Sequence, residues 1–76
     1  MSEKPVLFTK HGVRRTIAMA FTEPDVMKSI SAGNRKKEGK TKFKATLRTK
    51  HGLLIATCAE YPDHIVVITV SRRGVR

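Results

Sequence analysis

The sequence predicts an α+β domain in which two N-terminal helices pack on a three- to four-stranded antiparallel sheet. Three observations predict it. Residues 65–70 read Ile-Val-Val-Ile-Thr-Val, an unbroken β-branched run without polar alternation, as expected of a buried strand. Residues 42–49 alternate, with Phe43, Ala45 and Leu47 on one side and Lys42, Lys44, Thr46 and Arg48 on the other, the period of a half-exposed strand. Ahead of both, apolar residues recur at helical spacing and are interrupted by Thr22-Glu23-Pro24-Asp25.

Taken in order, Val6-Leu7-Phe8 predicts an edge strand or an extended lead-in. The pattern over residues 11–20 predicts the first helix, with Val13, Ile17 and Phe21 as its apolar stripe. Arg14 lies opposite, and His11 and Arg15, four residues apart, share a further face. Thr22 suits the N-cap of the second helix, Pro24 its first turn, and Asp25 its positive end. Val26, Met27 and Ile30 form a short apolar stripe, and Ala32-Gly33-Asn34 predicts a stop through a residue with positive φ.

Residues 34–40 read as a polar connector without a period. The alternating strand then leads through Thr49-Lys50-His51-Gly52, where Gly supplies the unusual dihedral, into a second strand over residues 53–59. A turn over 60–64 precedes the last strand, 65–70, expected in the middle of the sheet and covered on both faces. Short connections imply an antiparallel meander, with the helices on the face of Phe43, Ala45 and Leu47. The chain reads as one domain over residues 1–76, with 1–5 a flexible lead and 71–76 a basic tail.

Charge separates the function classes. The 76 residues carry sixteen Lys and Arg against six Asp and Glu, a net +10. Residues 34–50 alone hold eight of those cations and one acid. Such crowding costs self-repulsion that a polyanion relieves, which points to nucleic acid ahead of an acidic protein. A membrane is not expected, since no apolar run approaches the ~18 residues of a span and no amphipathic basic helix is present. The N-terminus lacks the apolar core of a signal peptide, and the single cysteine, Cys58, rules out an internal disulfide, so a cytoplasmic protein is expected.

Lys42, Lys44 and Arg48 point the same way along one strand, with neighbouring steps about 7 Å apart, close to the phosphate spacing of a single nucleic-acid strand. Arg35, Lys36, Lys37 and Lys40 precede them, and Arg72, Arg73 and Arg76 close the chain. Together with Arg14, these residues other than Arg72 and Arg76 form the predicted nucleic-acid-binding set. Aromatic residues number four, which disfavours a sheet that reads bases by stacking. The six acids are scattered, so a carboxylate cluster for divalent metals is not expected. Cys58 lies inside an apolar strand and reads as a small core residue. His51 and His64 fall in turns, as ordinary solvated histidines do. No cofactor is expected, and metal-free acid–base chemistry is the enzymology this composition favours.

In the order of its parts, the chain resembles small prokaryotic domains in which a His-x-x-x-Arg helix precedes a second helix and a sheet ending in a Val-Ile-Thr-Val strand. The matching residues are Thr9-Lys10-His11, Arg15, Phe21-Thr22-Glu23-Pro24-Asp25-Val26, Gly33 and Val67-Ile68-Thr69-Val70. These domains are similar to the RelE/ParE-like toxins of the barnase, colicin-nuclease and RelE superfamily, and the likeness runs from about residue 7 to 72. It implies a RelE-like fold and metal-independent RNA cleavage, on or off the ribosome. His11 would then transfer protons, with Arg15 and Arg72 beside Lys42, Lys44 and Arg48 around the phosphate. One departure is Met19, where the family often carries a second basic residue. ParE-like members act on gyrase instead, so fold analogy does not choose the reaction. Two further readings stand beside this one: a non-catalytic nucleic-acid-binding module, and a protein-binding module docking an acidic partner. The partners expected are RNA and an acidic antitoxin protein, for a monomer or a homodimer.

Overall fold

The computed structural model describes residues 4–74. Seven elements follow one another: β1 (Val6–Phe8), α1 (Lys10–Ala18), α2 (Glu23–Ala32), β2 (Asn34–Lys37), β3 (Lys42–Thr49), β4 (Gly52–Glu60) and β5 (Ile65–Arg73). The strands form one sheet in the order β1-β5-β4-β3-β2. The architecture is α+β with two helices, as expected, but the sheet has five strands and is mixed. β2 to β5 run antiparallel to their neighbours, whereas β1 pairs with β5 in parallel, Val6 opposite Ile65 and Phe8 opposite Val67.

The additional strand is β2, which replaces the polar connector expected over residues 34–40. Its four residues are all exposed, so no burial period marks them. Backbone pairing to β3 holds them, Asn34 against Thr46 through Lys37 against Phe43. β5 continues through Ser71, Arg72 and Arg73, so half of the expected tail is strand; residues 1–3 of the lead and Arg76 lie outside the described residues. The centre of the sheet is β4, flanked by β5 and β3, and not β5 as its composition suggested. Nor is β5 covered on both faces. The helices lie on one side only, and Val66 and Thr69 on the other side remain half-buried. The β-branched run reflects packing between neighbouring strands as much as burial.

The covered face carries the core. Phe43 opposes Cys58, which opposes Val67; Ala45 opposes Ala56, which opposes Val70. Phe21, Val26 and Ile30 descend onto these rows from the helical layer, on the face bearing Phe43, Ala45 and Leu47 as expected. Leu54, Val26, Val67 and Val70 are fully buried, each contributing roughly 1.5–3 kcal/mol of hydrophobic stabilisation before ordering entropy opposes it. α2 starts as expected: Thr22 Oγ1 accepts from the Asp25 amide, and the Asp25 carboxylate accepts from the Thr22 amide. It ends at Gly33, but with φ at −83°. Glycine is needed there for space, because a Cβ would lie 2.1 Å from the Thr46 carbonyl oxygen. The β3–β4 turn does use positive φ, at Gly52 (φ 117°).

α1 departs most from its expected stripe. Ile17 is 70% exposed, and the helix buries Gly12 and Thr16 instead. The reason is how close α1 comes to β5. A Cβ on Gly12 would stand 2.6 Å from the Val67 carbonyl oxygen, so only glycine permits this approach. Thr16 follows one turn later and satisfies its own hydroxyl by donating to the Gly12 carbonyl (2.7 Å). Thr9, the N-cap, lies against the same strand: its amide donates to Val67 O, and its hydroxyl lies 3.2 and 3.1 Å from the Val67 and Ile68 carbonyls. The β4–β5 register shifts between Thr57 and Cys58, leaving Ile68 as the additional residue of a bulge beside this contact.

Gly12→Ala checks this packing. Helix propensity alone would make alanine stabilising by about 0.5–1 kcal/mol. The clash with Val67 should reverse the sign and destabilise by about 1–3 kcal/mol. An unchanged or raised urea midpoint would contradict the close approach.

Candidate nucleic-acid interface

Because side chains alternate across a sheet, the uncovered face can be read row by row from the register. Lys36 stands opposite Lys44, Lys44 opposite Thr57, and Thr57 opposite Thr69. The next rows are Asn34-Thr46-Ile55-Ser71 and, at one end, Arg48-Leu53-Arg73; at the other end Lys42 is followed by Ala59, Val66 and Leu7. The face therefore has a half-buried band of aliphatic and hydroxyl residues on β4 and β5, with Lys36, Lys42, Lys44 and Arg48 along β2 and β3. Among the described residues none of these four has a carboxylate in salt-bridge range. Like charges directly opposite each other destabilise a sheet, and Lys36 and Lys44 are such a pair.

Where this basic row ends at Lys42, a hollow lies between the β2–β3 and β4–β5 connections. It reaches round to the helix-covered face, on which the register places Arg35, Lys37, Phe43 and Glu60. Lys4, Arg35, Lys37, Lys40 and Lys42 line it, with Glu60 as the acid among them. Glu60 Oε2 accepts from Lys4 Nζ at 2.9 Å, and Oε1 lies 3.6 Å from Arg35. The hydrogen bond from Lys4, aided by the charges of Lys4, Arg35 and Lys37, holds the Glu60 carboxyl below its usual range. Arg35 is further tied down, donating from Nε to the Ile30 carbonyl (3.0 Å) and lying 4.6 Å over the Phe43 ring. Two of the five cations are therefore occupied, and Lys37, Lys40 and Lys42 face the hollow without a carboxylate partner among the described residues. At its rim Tyr61 stacks on His64, with ring centroids 4.8 Å apart. His64 Nδ1 donates to Asp63 Oδ1 at 2.6 Å, and this bond lowers the Asp63 pKa.

The opposite end of β3 opens into a second hollow, lined by Arg48, Lys50, His51 and Arg72 around the β3–β4 turn. Among the described residues no carboxylate lines it, and Asp25 lines an adjoining hollow that shares Arg48, Lys50 and His51. Thr49 shapes the turn, its hydroxyl donating to the Gly52 carbonyl (2.8 Å) and accepting from the His51 amide (3.1 Å).

The residues predicted to act together in catalysis fall on two elements, His11 and Arg15 on α1 and Arg72 on β5. Arg72 belongs to the second hollow, beside His51. His11 and Arg14 are exposed on α1. Arg15 is half-buried and donates from Nε to the Val70 carbonyl (3.3 Å), so part of its donor capacity serves to seat α1 on β5. Of the predicted binding residues, Lys36, Lys42, Lys44, Arg48 and Arg73 share the bare face, Lys37 and Lys40 join Lys42 at the first hollow, and Arg35 is a structural cation there. Lys4, Lys50, His51 and Tyr61 were not anticipated. Lys50-His51 following Arg48 was a legible signal; Lys4 reaches Glu60 only through the β1–β5 pairing. Burial pushes the Cys58 thiol up to about 11, which suits its reading as a core residue. Among the described residues no group of three or more His, Cys, Asp or Glu is placed to hold a metal ion. In comparisons with known proteins, no family model, no curated protein and no solved structure matches the chain.

The Glu60 pair has a pH signature. A carboxyl held lower in the folded state contributes stability above its unfolded pKa, near 4.5, and loses it as pH falls through the lower folded value. The pair is surface-exposed, so the contribution is about 0.2–1 kcal/mol. Glu60→Gln should therefore melt slightly below the wild type at pH 7, with the two melting temperatures converging as the solution is acidified below pH 4. A constant difference across that range would refute the assignment.

Proposed function

We propose that the protein is a small RNA-binding protein that grips the phosphate backbone along β2 and β3. One observation carries this reading: Lys36 and Lys44 face each other on the bare side of the sheet, flanked by Lys42 and Arg48, with no carboxylate partner among the described residues. Holding like charges in register costs stability that an anion laid across them returns. Steps of about 7 Å along β3 suit successive phosphates of an extended strand, and the two basic hollows extend the track at both ends. The resemblance to RelE/ParE-like toxins does not by itself choose between targets, but a RelE-like activity would make RNA the polyanion. An acidic protein laid over the same face would compete with it, as an antitoxin would.

Binding should be steep in salt. Each phosphate neutralised on a single strand contributes about −0.7 to the slope of log K against log salt. Engagement of four to six phosphates predicts a slope of roughly −3 to −4. The double reversal Lys36→Glu/Lys44→Glu should weaken binding of a single-stranded RNA by at least tenfold and flatten the slope, as read by fluorescence anisotropy. A slope near zero in the wild type would dispose of the reading.

A second reading, metal-independent RNA cleavage, is favoured by the second hollow. There a histidine stands among Arg48, Lys50 and Arg72, with no carboxylate in the lining among the described residues. Cleavage by attack of the 2′-hydroxyl needs a proton acceptor beside a positively lined phosphate site. Both histidines are exposed, but His51 lines this basic hollow, so it meets that description better than His11 on α1. The expected outcome is RNA cleavage that persists in EDTA and falls about 10²- to 10⁴-fold in His51→Ala, with RNA affinity within a few-fold of the wild type and little change in His11→Ala. Loss in His11→Ala alone would return the role to α1, and absence of cleavage in the wild type would leave binding as the function.

A further inference from the structure

The first hollow has a feature that backbone binding does not use. Lys37, Lys40 and Lys42, which have no carboxylate partner among the described residues, surround a space whose rim carries Tyr61. Tyr61 is 41% exposed, although an aromatic ring in a turn gains from being covered. The ring is also positioned. It stacks on His64 at 4.8 Å with 21° between the planes, and His64 is anchored by Asp63 at 2.6 Å. The Tyr61 amide donates to the His64 carbonyl (2.8 Å), and Lys4 Nζ donates to the Tyr61 carbonyl (3.0 Å). The other aromatic residue of the hollow, Phe43, is buried beneath the Arg35 guanidinium, so Tyr61 is the ring that is accessible there.

The acid in the hollow does not oppose an anion. Glu60 uses Oε2 for Lys4 and lies by Oε1 against Arg35, which among the described residues leaves Lys37, Lys40 and Lys42 as the cations of the hollow without a carboxylate partner. Three ammonium groups beside a pre-oriented aromatic ring match the two halves of a nucleotide. Base–aromatic stacking needs a base free of its duplex partner. We propose that one nucleotide of a single-stranded RNA seats in this hollow, its base stacked on Tyr61 and its phosphate held by Lys37, Lys40 and Lys42. The inference rests on the RNA-binding reading above and adds a base-contacting position to it. A mononucleotide site at the end of the lysine row also gives the bound strand a defined terminus on the sheet.

The test exploits composition, because Tyr61 is the one tyrosine of the chain and its ring protons are a unique NMR signal. A short single-stranded RNA titrated into the 76-residue chain should move those signals upfield by ring-current shielding, whereas inorganic polyphosphate of matched charge should bind without that shift. Tyr61→Ala should weaken RNA binding about 5- to 150-fold, the factor equivalent to the ~1–3 kcal/mol of one stacked base, and leave polyphosphate binding unchanged. Tyr61→Phe should retain RNA affinity, since the ring and not the hydroxyl is used. Each variant's amide spectrum reports its fold independently. If RNA binds while the Tyr61 signals stay in place and Tyr61→Ala binds equally well, the stacking site is refuted and backbone binding stands. An equal shift with polyphosphate would reduce the hollow to an anion site and also overturn the inference. If neither RNA nor polyphosphate binds, both the inference and the RNA-binding reading fall.

Discussion

The close seat of α1 on β5 is the constraint from which much of the rest follows. Gly12 lets the helix backbone approach within a distance that no side chain would allow, and Thr9 joins the end of β1 to the start of the helix through the Val67 and Ile68 carbonyls. β1 pairs with β5 only as far as Phe8. Beyond that point the outward carbonyls of β5 would be open, and buried or half-buried backbone acceptors without partners are costly. The helix covers this edge in place of a strand, and Arg15 supplies the donor for Val70. Both helices are thereby held on one face, and the other face of a five-stranded sheet is left to solvent or a partner.

That asymmetry gives the charge its meaning. Most of the excess cations of this chain could have been scattered over a solvated surface, where they would imply little. Here they divide into two kinds. Lys4, Arg15 and Arg35 have partners that tie strands and helices together: Glu60, a β5 carbonyl, an α2 carbonyl and the Phe43 ring. Lys36, Lys37, Lys40, Lys42, Lys44 and Arg48 lie along or beside β2 and β3 without carboxylate partners among the described residues. Partnered cations stabilise the fold, whereas unpartnered ones in register raise its energy. The second kind is where a polyanionic ligand has the most to offer.

Much of this was legible in the chain. The alternation of Phe43, Ala45 and Leu47 with Lys42, Lys44 and Arg48 placed one strand and both of its faces correctly, because period-2 burial survives at the level of residue type. The Thr22-Asp25 capping box and the Gly52 turn are local chemistry and were equally readable. β2 was not, since Asn34, Arg35, Lys36 and Lys37 are exposed on both sides and their strand character comes from backbone bonds to β3. Ile17 misled for a related reason: spacing marks a face but not the depth at which a helix docks, and the Gly12–Val67 contact turned α1 so that small residues face inward.

By itself, then, the sequence determined the fold class, three of the five strands, the start of α2, and the concentration of positive charge on residues 34–50. Those properties depend on residue type and near-neighbour spacing, which the chain displays directly. Only the tertiary structure decided the parallel pairing of β1, the central place of β4, and the bare face of β5. It alone brought Lys4 to Glu60, Tyr61 to the rim of the lysine hollow, and His51 beside Arg72. Each of these joins residues far apart in the chain through strand register, and register is a property of the assembled sheet that no local pattern records.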